Sequence, residues 1–288
     1  MFTTLLKLGR VSNLPTVWSN TLAGAVLAGV YIFNESIPLL LIAMSLAYIG
    51  GMFLNDAYDS KIDALERPER PIPSGKISNA AVYYLGYGML AASICLVMVS
   101  ASRALGIPQY AAASALALCS CIMLYNIWHK NNPISPLIMG MCRMFVYITA
   151  GYTLMREPSS LVMAAAVVTL SYLIGLTYIA KSENNDSFAA MWPIAFLAVP
   201  LGFGIMRSAD SIPTLLFTLL FGGWLLYSLQ FLLNPDKRNV SKAVVSMIAG
   251  ISLLDAIYIS TAGFTNLAIV AVGAFLLTLF LQRYIAGT

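Results

Sequence analysis

The chain has 288 residues, of which 59% are hydrophobic and 10% are charged, with a mean hydropathy of +0.81 and a formal net charge of +4. Soluble domains carry about 25% charged residues, so this composition excludes a soluble globular protein. Apolar stretches of about 20 residues, the length that crosses a bilayer, follow one another along the sequence. We therefore expect an all-α, polytopic membrane protein in which residues 1–288 form a single transmembrane domain, with the lipid bilayer and no nucleic acid as its surroundings.

Ten candidate spans are predicted between the charges, prolines and Asn/Gly clusters: 13–33, 37–58, 79–100, 108–128, 134–155, 159–180, 188–206, 211–233, 240–260 and 264–284. The first follows Lys7 and Arg10 and lacks the layout of a cleavable signal peptide, so we expect it to be retained. Nine spans remain the alternative.

The basic residues are distributed unevenly between the two faces. With the N-terminus inside, twelve of the sixteen lysines and arginines lie in or beside cytoplasmic segments, three lie on the opposite face, and Arg143 is left within a span. This positive-inside bias predicts a cytoplasmic N-terminus and a cytoplasmic loop after the second span. The C-terminus is cytoplasmic only if the count of ten is right.

The four cysteines are expected to be ordinary packing residues. All of them lie in apolar segments and none has Cys-x-x-Cys spacing, so neither a disulfide framework nor a zinc site is predicted. They are Cys95, Cys119, Cys121 and Cys142.

The longest polar interval, roughly Asp59 to Asn79, follows the second span, and many of the charges lie in the stretch NDAYDSKIDALERPERPIPSG, from Asn55 to Gly75. If the span stays helical through its end, Asp56, Asp59 and Asp63 fall at i, i+3 and i+7 and share one face. The C-terminal end of a helix is already negative because its last carbonyls are unpaired. Three further carboxylates at that end predict a bound cation.

Two interpretations of that cation are open. Lys61, Arg67 and Arg70 could form ion pairs at a solvated interface, although such pairs contribute only about 0–1 kcal/mol each. The density of acids favours Mg²⁺, which is held by one or two carboxylates together with waters and phosphate oxygens. The arginines would then contact a phosphate-bearing substrate, for which the guanidinium fork is suited.

Several motifs resemble the UbiA superfamily of intramembrane prenyltransferases. NDAYDSKID matches that family's Asn-Asp-x-x-Asp-x-x-x-Asp motif, and RPERPIPSGKIS resembles the segment that follows it. LGRVSNLPTVWSNTLAG, with Arg10 and Asn13, resembles the family's opening, and MGMCRMF resembles the fifth-helix segment that carries an arginine, here Arg143. The resemblance covers most of the first 180 residues.

The resemblance implies helices ringed around a central cavity and Mg²⁺-dependent transfer of an isoprenoid chain from a prenyl diphosphate to an aromatic or other lipophilic acceptor. The residues implied for Mg²⁺ and, through it, the diphosphate are Asn55, Asp56, Asp59 and Asp63. The residues implied for phosphate oxygens are Arg67, Arg70 and Arg143.

The chain departs from the family after the sixth span. Many members carry two acids four residues apart there, whereas this chain reads TYIAKSENND. Tyr178 and Lys181 resemble a tyrosine and a lysine found near that site, and Lys181 could contact the diphosphate. Either Glu183 or Asp186 is a ligand for a second metal ion, or one ion is bound and Lys181 replaces the charge of the other.

A few further polar residues are open to two interpretations. Tyr125 and Asn126 are predicted to line the cavity, although an interhelical hydrogen bond explains Asn126 nearly as well. His129 is expected to be a membrane-interface residue beside Trp128, with a base for the acceptor as the alternative. Asp255 either binds an acceptor hydroxyl or is neutral and hydrogen-bonded to a neighbouring helix.

A competing function is a transporter or lipid-handling membrane protein that retains a diphosphate-binding site. The intramembrane charges of Arg143 and Asp255, and the thin second acidic cluster, keep that interpretation open.

Overall fold

The computed structural model describes residues 2–29, 35–130, 132–181, 191–209, 211–234 and 238–287, and this part of the chain contains eleven α-helices and no strand. The helices are α1 (Phe2–Leu8), α2 (Leu14–Leu27), α3 (Ser36–Glu66), α4 (Asn79–Ser102), α5 (Pro108–Trp128), α6 (Ser135–Leu154), α7 (Ser160–Lys181), α8 (Trp192–Arg207), α9 (Ile212–Leu233), α10 (Val240–Thr261) and α11 (Thr265–Leu281). A short 3-10 helix, Val11–Asn13, precedes α2. The prediction of an all-α fold is confirmed.

The helices agree in order with the predicted spans, since each span overlaps one of α2 to α11. Within the described residues, seven helices are long and apolar enough to cross a bilayer, namely α3 to α7, α9 and α10. The others are shorter, with 14 residues in α2, 16 in α8 and 17 in α11. The choice between nine and ten crossings stays a prediction.

Helix α3 is 31 residues long and carries the acidic motif on its last turns. It ends at Glu66 because Arg67 precedes Pro68, and a proline ring disfavours helical backbone at the residue before it. Arg67 accordingly has φ −143° and ψ 62°. The helical continuation on which the one-face prediction depended is therefore present.

Consecutive helices pack side by side from α2 to α11, and α11 packs against α2, so that the array closes on itself. Helix α10 is buried along most of its length and also contacts α2 and α7. The ends of the array meet, because Asn13 Nδ2 donates to the carbonyl oxygen of Gly287 at 2.7 Å and Gln282 Nε2 donates to Asn13 Oδ1 at 3.0 Å. The start of α2 and the segment after α11 therefore lie at the same face.

Close packing of α2 against α6 depends on Gly24. A Cβ atom on this residue would lie 2.7 Å from the Cβ of Ala150, far closer than van der Waals contact. We expect Gly24→Ala to destabilise the fold by about 1–3 kcal/mol, the usual cost of overpacking a filled core. Thermal unfolding in detergent measures the effect.

Gly88 of α4 provides the matched control, because a Cβ atom there would meet nothing within 4 Å. Gly88→Ala should leave the unfolding temperature unchanged or raise it slightly, since alanine favours the helix over glycine by about 1 kcal/mol. Equal unfolding temperatures for the two variants would contradict the close approach.

Candidate functional site

A cavity of about 440 Å³ lies between α2, α3, α5, α6, α7 and α10. Its interior is mainly apolar, with a lining that includes Val17, Met44, Leu118, Val146, Leu173 and Ile251. Its other end, which we call the mouth, is lined by Arg10, Asn55, Asp59, Asp63, Glu66, Arg67, Arg70, His129 and Lys130. This division suits a ligand with a charged head and a hydrocarbon body.

The three predicted aspartates come together on the last turns of α3 because the helix is continuous through them. Asp56 and Asp63 are buried, at 7% and 5% exposure, and Arg70 joins them. Its Nη1 lies 2.7 Å from Asp63 Oδ2 and 3.5 Å from Asp56 Oδ1. Asp63 lines the cavity, whereas Asp56 is not among the described lining residues.

Asp59 faces a different set of bases. Lys130 Nζ lies 3.1 Å from its Oδ1, and His129 Nε2 lies 3.5 Å from its Oδ2. The His129 ring stacks on Tyr125, and its Nδ1 lies 3.2 Å from the Tyr125 carbonyl oxygen. His129 therefore lines the mouth, because the end of α5 turns it toward the α3 acids, and its expected membrane-interface position stays a prediction.

Arg10, which the sequence places at the entrance to the first span, lines the mouth. Its Nη2 lies 3.2 Å from Asn55 Oδ1 and 3.2 Å from Asp56 Oδ1. Its backbone is left-handed, with φ 41° and ψ 48°. A non-glycine residue in that conformation costs on the order of 1–3 kcal/mol, which the surrounding contacts must offset.

Tyr125 and Asn126 line the cavity as predicted. Asn126 also satisfies the alternative interpretation, because its Nδ2 donates to the Gly51 carbonyl oxygen at 3.0 Å and its Oδ1 accepts from Asn55 Nδ2 at 3.2 Å. This pairing fixes Asn55, the first residue of the motif, against α5.

Arg143 lies deeper than the mouth. Its guanidinium carbon is 5.8 Å from the centre of the Tyr48 ring, and Tyr48 precedes Asn55 by seven residues, about 10 Å along α3. Its Nη1 donates to Asn20 Oδ1 at 2.7 Å and its Nη2 donates to Thr16 Oγ1 at 2.9 Å. No carboxylate within the described residues pairs with it at ion-pair distance.

Tyr178 and Lys181 lie beside the segment before α6 and are not among the described residues that line the cavity. Lys181 Nζ donates to the Asn132 carbonyl oxygen at 2.6 Å and to Ser135 Oγ at 2.7 Å. Tyr178 Oη donates to the Pro133 carbonyl oxygen at 2.7 Å. Their predicted contact with a diphosphate stays a prediction.

The acids predicted for a second metal ion, Glu183 and Asp186, lie outside the described residues. Asp255 is fully buried in α10 and hydrogen-bonded to α2 and α6, not among the cavity lining. The structure therefore agrees with the interhelical interpretation of Asp255.

The oxygen ligands at the mouth fit Mg²⁺ in part. The described residues contain no group of three or more His, Cys, Asp or Glu side chains that could hold a metal ion alone. Mg²⁺ does not require such a cage, because one or two carboxylates plus substrate phosphates are its usual ligands in phosphate-handling sites. Asp59 and Asp63, beside the amide of Asn55, form a donor set of that kind.

A closed array of apolar helices around a cavity with a charged mouth defines a multi-pass integral membrane protein. The chain belongs to the UbiA prenyltransferase family, whose sequence profile matches residues 17–248.

Among its relatives are two proteins named digeranylgeranylglyceryl phosphate synthase. The one from Methanothrix thermoacetophila is 32% identical over 133 residues, covering 46% of this chain and 47% of the relative. The one from Sulfolobus acidocaldarius is 30% identical over 121 residues, covering 42% of this chain and 41% of the relative. The chain thus matches less than half the length of these relatives.

Two solved structures share the fold, each with a TM-score of 0.64. One comes from work on the biosynthesis of digeranylgeranylglyceryl phosphate synthase in membranes, with 20% identity over 91% of this chain and 98% of that chain. The other is the apo structure of a UbiA homologue from Aeropyrum pernix K1, with 16% identity over 90% of this chain and 98% of that chain.

Proposed function

We propose that the protein transfers an isoprenoid chain from a prenyl diphosphate to a lipophilic acceptor, with Mg²⁺ as cofactor. The observation that carries the proposal is the convergence of acids and bases at the mouth of an apolar cavity inside a membrane fold. The charged mouth suits the diphosphate, and the interior suits the isoprenoid tail. Membership of the UbiA prenyltransferase family supports the reaction class.

In this proposal Asn55, Asp59 and Asp63 would hold Mg²⁺, and Asp56 would keep Arg10 and Arg70 beside them through its ion pairs. When bound, the ion neutralises the charge that develops on the departing diphosphate. Tyr125 and Asn126 shape the wall beside the diphosphate.

Four bases would bind phosphate oxygens in this arrangement. Arg67 is exposed, lines the mouth, and has no ion-pair partner within the described residues, so its guanidinium is available to a ligand. Arg70 bridges two acids and can exchange one of them for a phosphate. Arg143 presents a further cation inside the cavity, and Lys181 would approach the diphosphate from α7.

During transfer the allylic carbon–oxygen bond breaks with its electron pair on the pyrophosphate. The nucleophilic atom of the acceptor forms a new bond to that carbon and releases a proton to water at the mouth. The positive charge that builds on the carbon is vulnerable to water, which the apolar interior excludes.

We further propose that residues 1–288 form one domain with ten spans and with both ends on the cytoplasmic face beside the mouth. The contacts of Asn13 with Gly287 and Gln282 support an even number of crossings. The positive-inside bias supports the orientation.

The test is transfer by the purified full chain in detergent or vesicles. It would be incubated with radiolabelled geranylgeranyl diphosphate, Mg²⁺ and, separately, geranylgeranylglyceryl phosphate, 4-hydroxybenzoate or a membrane lipid extract. The names of the relatives make the glyceryl phosphate the first acceptor to try. We expect release of pyrophosphate and a labelled lipid product that both depend on the acceptor. Saturable binding of the diphosphate without release, for every acceptor, would instead support the lipid-handling function.

A further inference from the structure

Asp255 is a buried acid without a direct basic partner in the described structure. It is 0% exposed, and its two oxygens accept hydrogen bonds from Ser19 Oγ at 2.6 Å, from Asn20 Nδ2 at 2.7 Å, and from Tyr147 Oη. Burying an acid at this depth in the membrane costs free energy, so such a residue usually has a function. Among these partners, Asn20 also contacts a charged side chain, that of Arg143.

The Asn20 amide is held between Asp255, whose Oδ2 accepts its hydrogen bond, and Arg143, which can only donate. Its Nδ2 donates to Asp255 Oδ2 and, at 3.0 Å, to Tyr147 Oη, while its Oδ1 accepts from Arg143 Nη1 at 2.7 Å. A guanidinium cannot accept a hydrogen bond, so the amide oxygen must face Arg143. Asp255 secures the same orientation from the other side.

This arrangement leaves part of the Arg143 guanidinium available. Of its five N–H groups, one is used by Asn20 and one by Thr16, and both acceptors are neutral. Arg143 lines the cavity, and a carboxylate placed directly against it would form a bidentate pair and occupy two more of its donors. With Asn20 between them, Asp255 stabilises the guanidinium without occupying its remaining N–H groups.

We propose that Asp255 is a positioning residue: acting through Asn20, it holds the Arg143 guanidinium toward the cavity for an anionic phosphate group of a substrate. The inference rests on the proposed function for the identity of that substrate. The phosphate can belong to the prenyl diphosphate or to a phosphate-bearing acceptor, and the two sources are separated by measurement.

The experiment is a double-mutant cycle on the full chain with Asp255→Leu, Arg143→Gln and the two combined. Binding of radiolabelled geranylgeranyl diphosphate is measured first, and the KM for this donor and for geranylgeranylglyceryl phosphate is measured second. We expect Asp255→Leu to weaken the affinity for one of these two substrates by about 10-fold, the size of a lost charge-assisted hydrogen bond. The same substitution should have less than about a 2-fold effect when Arg143 is already glutamine.

The conservative variant Asp255→Asn separates positioning from a purely structural or charge effect. Its amide oxygen can still accept from Asn20 and its NH₂ group can donate to Tyr147, so it should restore wild-type affinity. Ser260→Ala is the matched control, because it removes another buried hydrogen bond of α10, to Thr214, outside this network. It should leave both substrate affinities unchanged.

The proposal is overturned if the effect of Asp255→Leu persists undiminished beside Arg143→Gln, if Asp255→Asn is as weak as Asp255→Leu, or if neither substrate affinity changes. A change in unfolding temperature alone, with no coupling, also overturns it. Failure of the proposed function gives a different result: the wild type then produces no labelled lipid with any acceptor. The binding cycle with the diphosphate still tests Asp255 in that case.

Discussion

Replacing Asp59 by asparagine is expected to reduce kcat/KM for prenyl transfer by about 100- to 1,000-fold, the usual loss when one electrostatic stabiliser of a transition state is removed. Asp59 lines the mouth and faces Lys130 and His129, so its charge lies where the diphosphate would bind. The substitution keeps the shape of the side chain and removes only its charge. Radiolabelled geranylgeranyl diphosphate and the acceptor that supports transfer measure the loss.

Glu69→Gln is the matched control for Asp59→Asn. Glu69 is an exposed acid in the same polar segment that does not line the cavity, so removal of its charge should leave kcat/KM within about 2-fold of the wild type. Comparable activity of the two variants, with similar unfolding temperatures, would show that the mouth is not the reaction site.

Removal of divalent cations with EDTA is expected to abolish transfer, and Mg²⁺ is expected to restore it. The acids at the mouth can supply only part of a coordination shell, so metal and diphosphate should bind together. Affinity for the diphosphate should therefore also fall on chelation, which provides a measurement independent of turnover. Ca²⁺ should restore transfer less well, because it prefers longer bonds and more oxygen ligands.

The Mg²⁺ titration also decides between one and two ions. If Glu183 or Asp186 is a ligand, the variant with both changed to alanine should require more Mg²⁺ for diphosphate binding, whereas an unchanged titration would exclude the two-ion version. Full transfer in EDTA, with metal content verified as absent, would contradict the proposed cofactor.

Part of the site could be predicted from local sequence alone. The spacing of Asp56, Asp59 and Asp63 is a helix period, and the proline after Arg67 sets where that helix stops, so both features follow from neighbouring residues. The cavity positions of Tyr125 and Asn126 could be predicted for a similar reason. Polar side chains near the end of an apolar span have few alternatives to a cavity or a neighbouring helix.

Other parts depend on distant segments. His129 and Lys130 meet Asp59 across about 70 residues of chain, and no local pattern indicates which acid a base at the end of α5 will face. Arg10 reaches Asp56 because its own left-handed backbone turns the chain before α2. Lys181 was expected near the diphosphate, and its hydrogen bonds to Asn132 and Ser135 appear only when α7 is packed against α6.

The sequence by itself determined that the chain is helical and lies in a membrane, and it determined which end of α3 carries the acids. Hydropathy and helical period are properties of consecutive residues and need no knowledge of packing. The tertiary structure alone decided which base faces which acid, and that the buried Asp255 reaches Arg143 through Asn20. The pairings at the mouth join α3 to the end of α5 and to the segment before α2, whereas the Asp255 network joins α2, α6 and α10. Side chains so far apart in sequence meet only when the helices close around the cavity.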